Sequence, residues 1–271
     1  MGRIFDIHAA TQYRAWQHSP KGKAMEKWVE ESILSLLTPQ PGERVLDIGC
    51  GEGNHLLLLN RLGLSIAGID SSPYMINRAM ERLGSRCELK IARAEDLPYE
   101  DDEFDIAIMI NTAEFLEAPV EAFKEAGRVA RRKVFVGTFN NFSWYCFSSK
   151  AMSPFRRFPF QDTHFYNLWS LRALIQVAMG DVPITWRSGQ LTSPFMWKIG
   201  RGFEGLCRRF RVPWGAFLGL SAETKYWVRT EQHPLKVALK KTGPSVANGI
   251  TREGKMNRLK GREHHAGSLP L

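Results

Sequence analysis

Val45-Leu46-Asp47-Ile48-Gly49-Cys50-Gly51-Glu52-Gly53-Asn54 is the stretch on which the fold turns. Arg44 to Ile48 is a brief apolar run ending in Gly-x-Gly-x-Gly, and His55 to Leu62 behind it is apolar enough for a buried helix. The unit is strand, glycine loop, helix. Glycines at 49, 51 and 53 let the backbone turn sharply and let a ligand approach atoms that a side chain would shield. A dinucleotide site calls for G-x-G-x-x-G, which admits a pyrophosphate at the helix N-terminus. Here the third glycine comes one residue early and Asn54 follows it. Asp47, just inside the strand end, would repel a phosphate and suits a cationic ligand instead.

Outward from this unit, strand and helix signals alternate. Lys23 to Leu37 places Met25, Trp28, Val29, Ile33, Leu36 and Leu37 at helical spacing, and Thr38-Pro39-Gln40-Pro41-Gly42 stops that helix. Ser65 to Ile69, Cys87 to Ile91, Phe104 to Ile110 and Lys133 to Gly137 read as further strands. Pro73 to Leu83 and Val120 to Ala130 read as the helices between them. Such alternation predicts a mainly parallel α/β sheet covered on both faces. Beyond residue 140 the pattern loosens: Leu168 to Met179 predicts a helix, Pro183 to Gly189 a strand, and Gly215 to Arg229 a late strand pair or one long strand.

A chain of 271 residues, 44% hydrophobic, can bury one large core, which predicts a single domain with elaborations rather than two independent ones. We divide it into a domain over 1–235 and a basic tail over 236–271 expected to be disordered. Within the domain, 1–40 is an N-terminal lid and helix, 41–140 a ligand-binding core, and 141–235 an elaboration on the acceptor side. No apolar run long enough to span a membrane and no signal-like start is present, so a soluble, cytoplasmic protein is expected. Cys50, Cys87, Cys146 and Cys207 form no CxxC pair, which argues against a metal site and a disulfide framework. Of the net charge of +9, over half sits between Lys240 and Leu271, where seven Lys/Arg face Glu253 and Glu263. A solvated tail of this kind carries little specificity, so nucleic acid is not the expected partner. The oligomeric state is not legible.

Asp70, at the end of the second strand, lies 21 residues past Gly49. At that separation an acidic residue reaches ribose hydroxyls in nucleoside-binding α/β folds. A lone Asp after a strand also serves as a helix cap, and Ser71-Ser72-Pro73 fits that role; with the glycine loop at this distance, ribose is the better reading. S-adenosylmethionine (SAM), with its ammonium and sulfonium, meets the demand for a cationic nucleoside.

In three successive motifs the chain resembles the methyltransferase type 11 family, which includes the ubiquinone and menaquinone biosynthesis methyltransferases. They are Val-Leu-Asp-Ile-Gly-Cys-Gly-Glu-Gly, Gly68-Ile-Asp-Ser-Ser-Pro-Tyr-Met75 and Ala94-Glu-Asp-Leu-Pro-Tyr-Glu-Asp-Asp-Glu-Phe-Asp105. The resemblance covers about residues 5 to 140. It implies a Rossmann-like class I methyltransferase fold, with a seven-stranded, mainly parallel sheet, helices on both faces and an antiparallel last strand. It also implies that Asp47, Gly49, Cys50, Gly51 and Gly53 face the methionine half of SAM, and that Asp70, Ser71 and Met75 contact ribose and adenine. By the same likeness Ala94 and Glu95 lie beside the adenine, and Asn111 borders the methyl-transfer site. Two departures stand out. Relatives have an Asp that accepts from the adenine amino group, where this chain has Arg93, which cannot accept. The family segment before the first helix reads here Tyr13-Arg14-Ala15-Trp16-Gln17-His18-Ser19-Pro20-Lys21-Gly22. That likeness implies a lid in which Tyr13 and Trp16 close over the cofactor; aromatics anchoring a terminal helix are the alternative.

No catalytic base declares itself. His164 and Tyr166, after the fifth strand, are the candidates, and methyl transfer needs no base where placement of the acceptor suffices. The expected function is transfer of a methyl group from SAM to a small apolar or aromatic acceptor. Alternatives are methylation of a macromolecule (RNA or protein), motivated by the basic residues 198–211 and the tail, or a non-catalytic SAM-binding regulatory protein, motivated by Arg93 and the missing base.

Overall fold

In the computed structural model, residues 7–143, 164–189 and 212–224 are described. All fall within one compact unit, Met1–Val228. Residues 144–163 of the acceptor-side elaboration, the basic run 198–211 and the tail lie outside the described residues.

Helix α1 (Ile7–His18) leads into α2 (Pro20–Leu37). The start of α2, three residues earlier than the spacing predicts, is fixed by Ser19, whose hydroxyl accepts from Gly22 N at 3.1 Å, and by Pro20 at the first helical position. Then follow β1 (Arg44–Ile48), α3 (Asn54–Arg61), β2 (Ser65–Asp70), α4 (Pro73–Leu83), β3 (Cys87–Ile91) and β4 (Phe104–Ile110). After these come α5 (Pro119–Val129), β5 (Ala130–Phe139), α6 (Leu168–Met179), β6 (Ile184–Gly189) and β7 (Phe217–Glu223). The fifth strand begins at Ala130, the residue on which helix α5 ends in the sequence reading; its N–H caps α5 by donating to Ala126 O.

The seven strands run in the order β3-β2-β1-β4-β5-β7-β6. β1 to β5 pair in parallel, and β7 is antiparallel to both β5 and β6. The described part of the Gly215–Arg229 stretch holds one strand, β7, which slots between two others. Six of its seven residues are buried, which its alternation alone does not announce. The α/β fold is that of a class I methyltransferase.

Side chains alternate across each strand. One face of the sheet joins Leu46 and Ile48 to Phe123 and Val129 of α5 and to Leu171 and Ile175 of α6. The other joins Val45 to Val29 and Ile33 of α2, Leu56 and Leu59 of α3, and Ile76 and Ala79 of α4. Phe104, Phe123, Phe135, Phe139 and Phe217 are fully buried, each contributing about 2–3 kcal/mol of transfer free energy. Asp47 belongs to the α2/α3 face, between Leu46 and Ile48, and it is the charged residue in an otherwise apolar strand interior.

Candidate functional site

A cavity of about 410 Å³ opens at the carboxyl ends of β1, β2 and β4, the end at which open α/β sheets hold ligands. The glycine loop forms one wall. Gly49 N and Cys50 N both donate to Ile69 O at 2.8 Å, which ties the loop to β2. Gly51 sits at φ +53 with no heavy atom within 4 Å of where a Cβ would be, so its backbone faces open space. Gly53 is different: a Cβ there would lie 2.6 Å from Leu83 Cδ1, and the residue caps α3 with no side-chain bond. Its lack of a side chain serves packing of α3 on α4. Gly49, Cys50 and Gly51 line the cavity, whereas Gly53 and Asp47 do not.

Asp70 stands opposite. Its Oδ2 accepts from Gly51 N at 3.0 Å and its Oδ1 from Ser72 N at 2.8 Å, while Ser72 itself caps α4. The capping and ligand-facing readings coexist, because each oxygen keeps a lone pair beyond its backbone bond and the residue borders the cavity. Burial pushes its carboxyl above the usual range, and the two N–H groups pull it back. Ser71 and Met75 line the same side, and Ala94 and Glu95 continue the wall. Arg93 lines it as well, its guanidinium directed to Glu95 at 3.5 Å and Glu117 at 3.9 Å. The cation that replaces the family's acceptor is thus engaged by two carboxylates, and the largely buried Glu95 is the acidic side chain beside Ala94.

Asn111 follows β4 in the left-handed region, φ +51, with its N–H donating to Gly137 O at 2.8 Å. Its Nδ2 lies 3.4 Å from the Tyr13 hydroxyl, and its buried Oδ1 has no partner. Tyr13 is half-buried and lines the cavity. Burial and the Glu26 carboxylate hold its phenol protonated. Trp16 stacks on Tyr13 at 5.8 Å and meets Phe139 edge-on at 5.6 Å, so α1 is anchored by aromatics and also contributes a wall. His164 and Tyr166 do not line the cavity. His164 N donates to Glu114 O, and the buried Tyr166 hydroxyl donates to Ala113 O at 3.2 Å.

Sequence reading missed four groups here. Arg14 pairs with Glu52 and ties α1 to the glycine loop. Arg82 donates to Glu52 O at 2.9 Å and Asn54 Oδ1 at 2.6 Å. Glu26 of α2 lies 3.5 Å from His55 Nε2. Glu114, 2% exposed, accepts from Thr138 Oγ1 at 2.5 Å and Phe139 N at 3.0 Å, and burial lifts its carboxyl to about 7. Glu26 follows the core residue Met25 directly, which was the available signal; nothing local marks Glu114. Among the described residues no His/Cys/Asp/Glu cluster suits a metal ion, and no helix is long and apolar enough to cross a membrane.

The strand order and the helices on both faces are those of the SAM-dependent methyltransferase fold. Residues 46–136 match the model of the methyltransferase domain family. An uncharacterized protein of Mycobacterium tuberculosis is 31% identical over 149 residues, 52% of this chain and 53% of its own. This chain spans about half the length of the curated relatives it matches. A Thermotoga maritima SAM-dependent methyltransferase, a possible histamine N-methyltransferase, superposes with a TM-score of 0.58 at 20% identity, over 79% of this chain and 95% of its own. The magnesium protoporphyrin IX methyltransferase of Synechocystis, solved with S-adenosylhomocysteine (SAH), gives a TM-score of 0.58 at 16% identity, over 81% and 95%.

The residues present fit SAM. In the cavity wall the unpartnered Asn111 Oδ1 is an acceptor without a donor, the Gly51 backbone is open and Asp70 has lone pairs to spare; behind the wall Asp47 Oδ2 is a second acceptor without a donor.

Proposed function

We propose that this protein transfers a methyl group from SAM to a small apolar or aromatic acceptor. One observation carries the reading. A single cavity brings Gly51, Asp70, Glu95 and Asn111 together with the apolar side chains of Phe115 and Leu116. Its size is within the range of small-molecule sites, roughly 300–1,000 Å³. The two solved neighbours are named for small-molecule methylation, which supports the same class.

SAM supplies an electrophilic methyl group when bound. The chain's own residues bind and orient. Asp70 and the Gly51 backbone hold the nucleoside sugar, Ala94 and Glu95 flank the base, and Gly49 and Cys50 carry the amino-acid end. Tyr13 and Phe115 exclude water from the cavity. Alignment of the acceptor supplies the acceleration, since placement alone is worth about 7–11 kcal/mol in favourable cases. Neither His164 nor Tyr166 is needed as a base for this transfer.

Incubating the full chain with methyl-labelled SAM and a cell extract tests the proposal. Label should enter the solvent-extractable small-molecule fraction and depend on an intact Asp70. Label confined to precipitated RNA or protein overturns the acceptor class, and no transfer to any fraction overturns the enzymatic reading.

A further inference from the structure

Three ionisable side chains from three elements meet behind the glycine loop: Asp47 of β1, His55 of α3 and Glu26 of α2. Asp47 is 1% exposed and its Oδ2 has no hydrogen-bond partner. His55 is 8% exposed; its Nε2 lies 3.5 Å from Glu26 Oε1, too long for a strong hydrogen bond, and has no other partner. His55 also lines the cavity, as do Gly49 and Cys50, two and three residues past Asp47. The other titratable groups close enough to act on Asp47 are Asp70, Cys50 and Cys87, of which none carries positive charge.

A carboxylate shut away from solvent without a donor is costly to ionise. Two acids flank it and one imidazole faces it, so its cheapest free state holds a proton. Burial keeps the Asp47 carboxyl protonated up to about 7; charge on His55 would lower that limit, while Asp70 and Glu26 raise it. A cation delivered to this end of the cavity reverses the balance, because it offers the charge partner that the protein itself withholds.

We propose that the Asp47–His55–Glu26 cluster makes binding of an α-ammonium nucleoside proton-linked: the ligand's ammonium enters as the Asp47 carboxyl proton leaves to solvent. Charge balances, one positive charge in and one proton out. His55 and Glu26 are positioning residues that set the pH at which the exchange occurs. The inference rests on the SAM reading of the cavity and deepens it, by adding a proton exchanged at the acid that the family likeness already turns toward the methionine half.

Calorimetry on the full chain tests this, with SAH titrated in buffers of different ionisation enthalpy between about pH 6 and 7.5, where an α-amino group is still charged. Proton release should approach one per SAH at the acidic end. SAH affinity should rise up to about tenfold per pH unit toward 7. Methylthioadenosine, which has the nucleoside but lacks the amino-acid end, should bind without releasing a proton. In Asp47→Asn, with its melting temperature checked against the parent, release and pH dependence should both vanish. Glu26→Gln should move the midpoint down and His55→Gln should move it up, shifts that a purely structural role would not produce. SAH binding with no proton release, or release unchanged in Asp47→Asn, overturns the linkage alone. Absence of SAH binding at every pH overturns the SAM reading and the linkage with it.

Discussion

The two halves of the sheet are built by different means. From β1 to β4 every strand is parallel to its neighbours, and the carboxyl ends of β1, β2 and β4 open onto one cavity. From β5 onward the sheet is completed by β7, antiparallel and inserted between β5 and β6, with pairs such as Val136 with Leu220 joining distant parts of the chain. In the first half, short spacing in sequence places the chemistry. In the second, long-range pairing does, and the described residues there line little of the cavity.

The largest expected effect separates strain from site. Gly51 and Gly42 both have positive φ, +53 and +87, and at neither would an added Cβ meet a heavy atom within 4 Å. Valine at either position should cost a similar amount of stability, on the order of 1–2 kcal/mol. Only Gly51→Val should also lose SAH affinity, by about 100-fold or more, since its side chain would enter the cavity. Equal binding in the two variants would leave Gly51 as a turn glycine with no part in the site.

Asp70→Ala comes next. It removes the acceptors for Gly51 N and Ser72 N as well as the ligand-facing lone pairs, so SAH affinity should fall by roughly 30-fold and the melting temperature should drop. A stability loss with unchanged affinity would leave Asp70 as a cap only.

Glu114 ties the halves together, bonding the turn after β4 to Thr138 and Phe139 of β5. Folding raises its pKa from 4.5 to about 7, so between those values the folded chain keeps a proton that the unfolded chain has released. Its contribution is complete below the lower value and is lost as pH rises through the upper one. Denaturant melts of the ligand-free protein should therefore show stability falling by on the order of 2–3 kcal/mol across this window. Glu114→Gln should flatten the slope, with a remainder from Asp47 and Asp70, whose carboxyls burial raises in the same direction.

The smallest effect belongs to the far half. Trp169 at the start of α6 is 58% exposed and touches Phe142 edge-on at 6.0 Å. Trp169→Ser should change stability by no more than about 1 kcal/mol and leave SAH affinity untouched.

Much of the first half was legible because ligand binding and helix entry each demand particular residues at fixed spacing. The three glycines, Asp70 and the alternation from Arg44 to Ile110 announce a nucleoside-binding α/β unit without any structure. The sequence did not separate the roles within the loop, since the packing of Gly53 on Leu83 depends on α4, thirty residues away. Nor did it show that Asp47 lies behind the glycine loop near His55 and Glu26, because their approach depends on how α2 and α3 cover the sheet. The sequence left Gly215 to Arg229 open between a strand pair and one long strand for the same reason: the partners of β7 are chosen by burial on both faces rather than by its own pattern.

The most direct test is a crystal structure of the full chain grown with SAH. We expect the ribose hydroxyls within hydrogen-bond reach of Asp70, the adenine beside Ala94 and Glu95, and the amino-acid end against Gly49 and Cys50. SAH bound away from these residues, with Gly51 and Asp70 uncontacted, would contradict the assignment of the cavity.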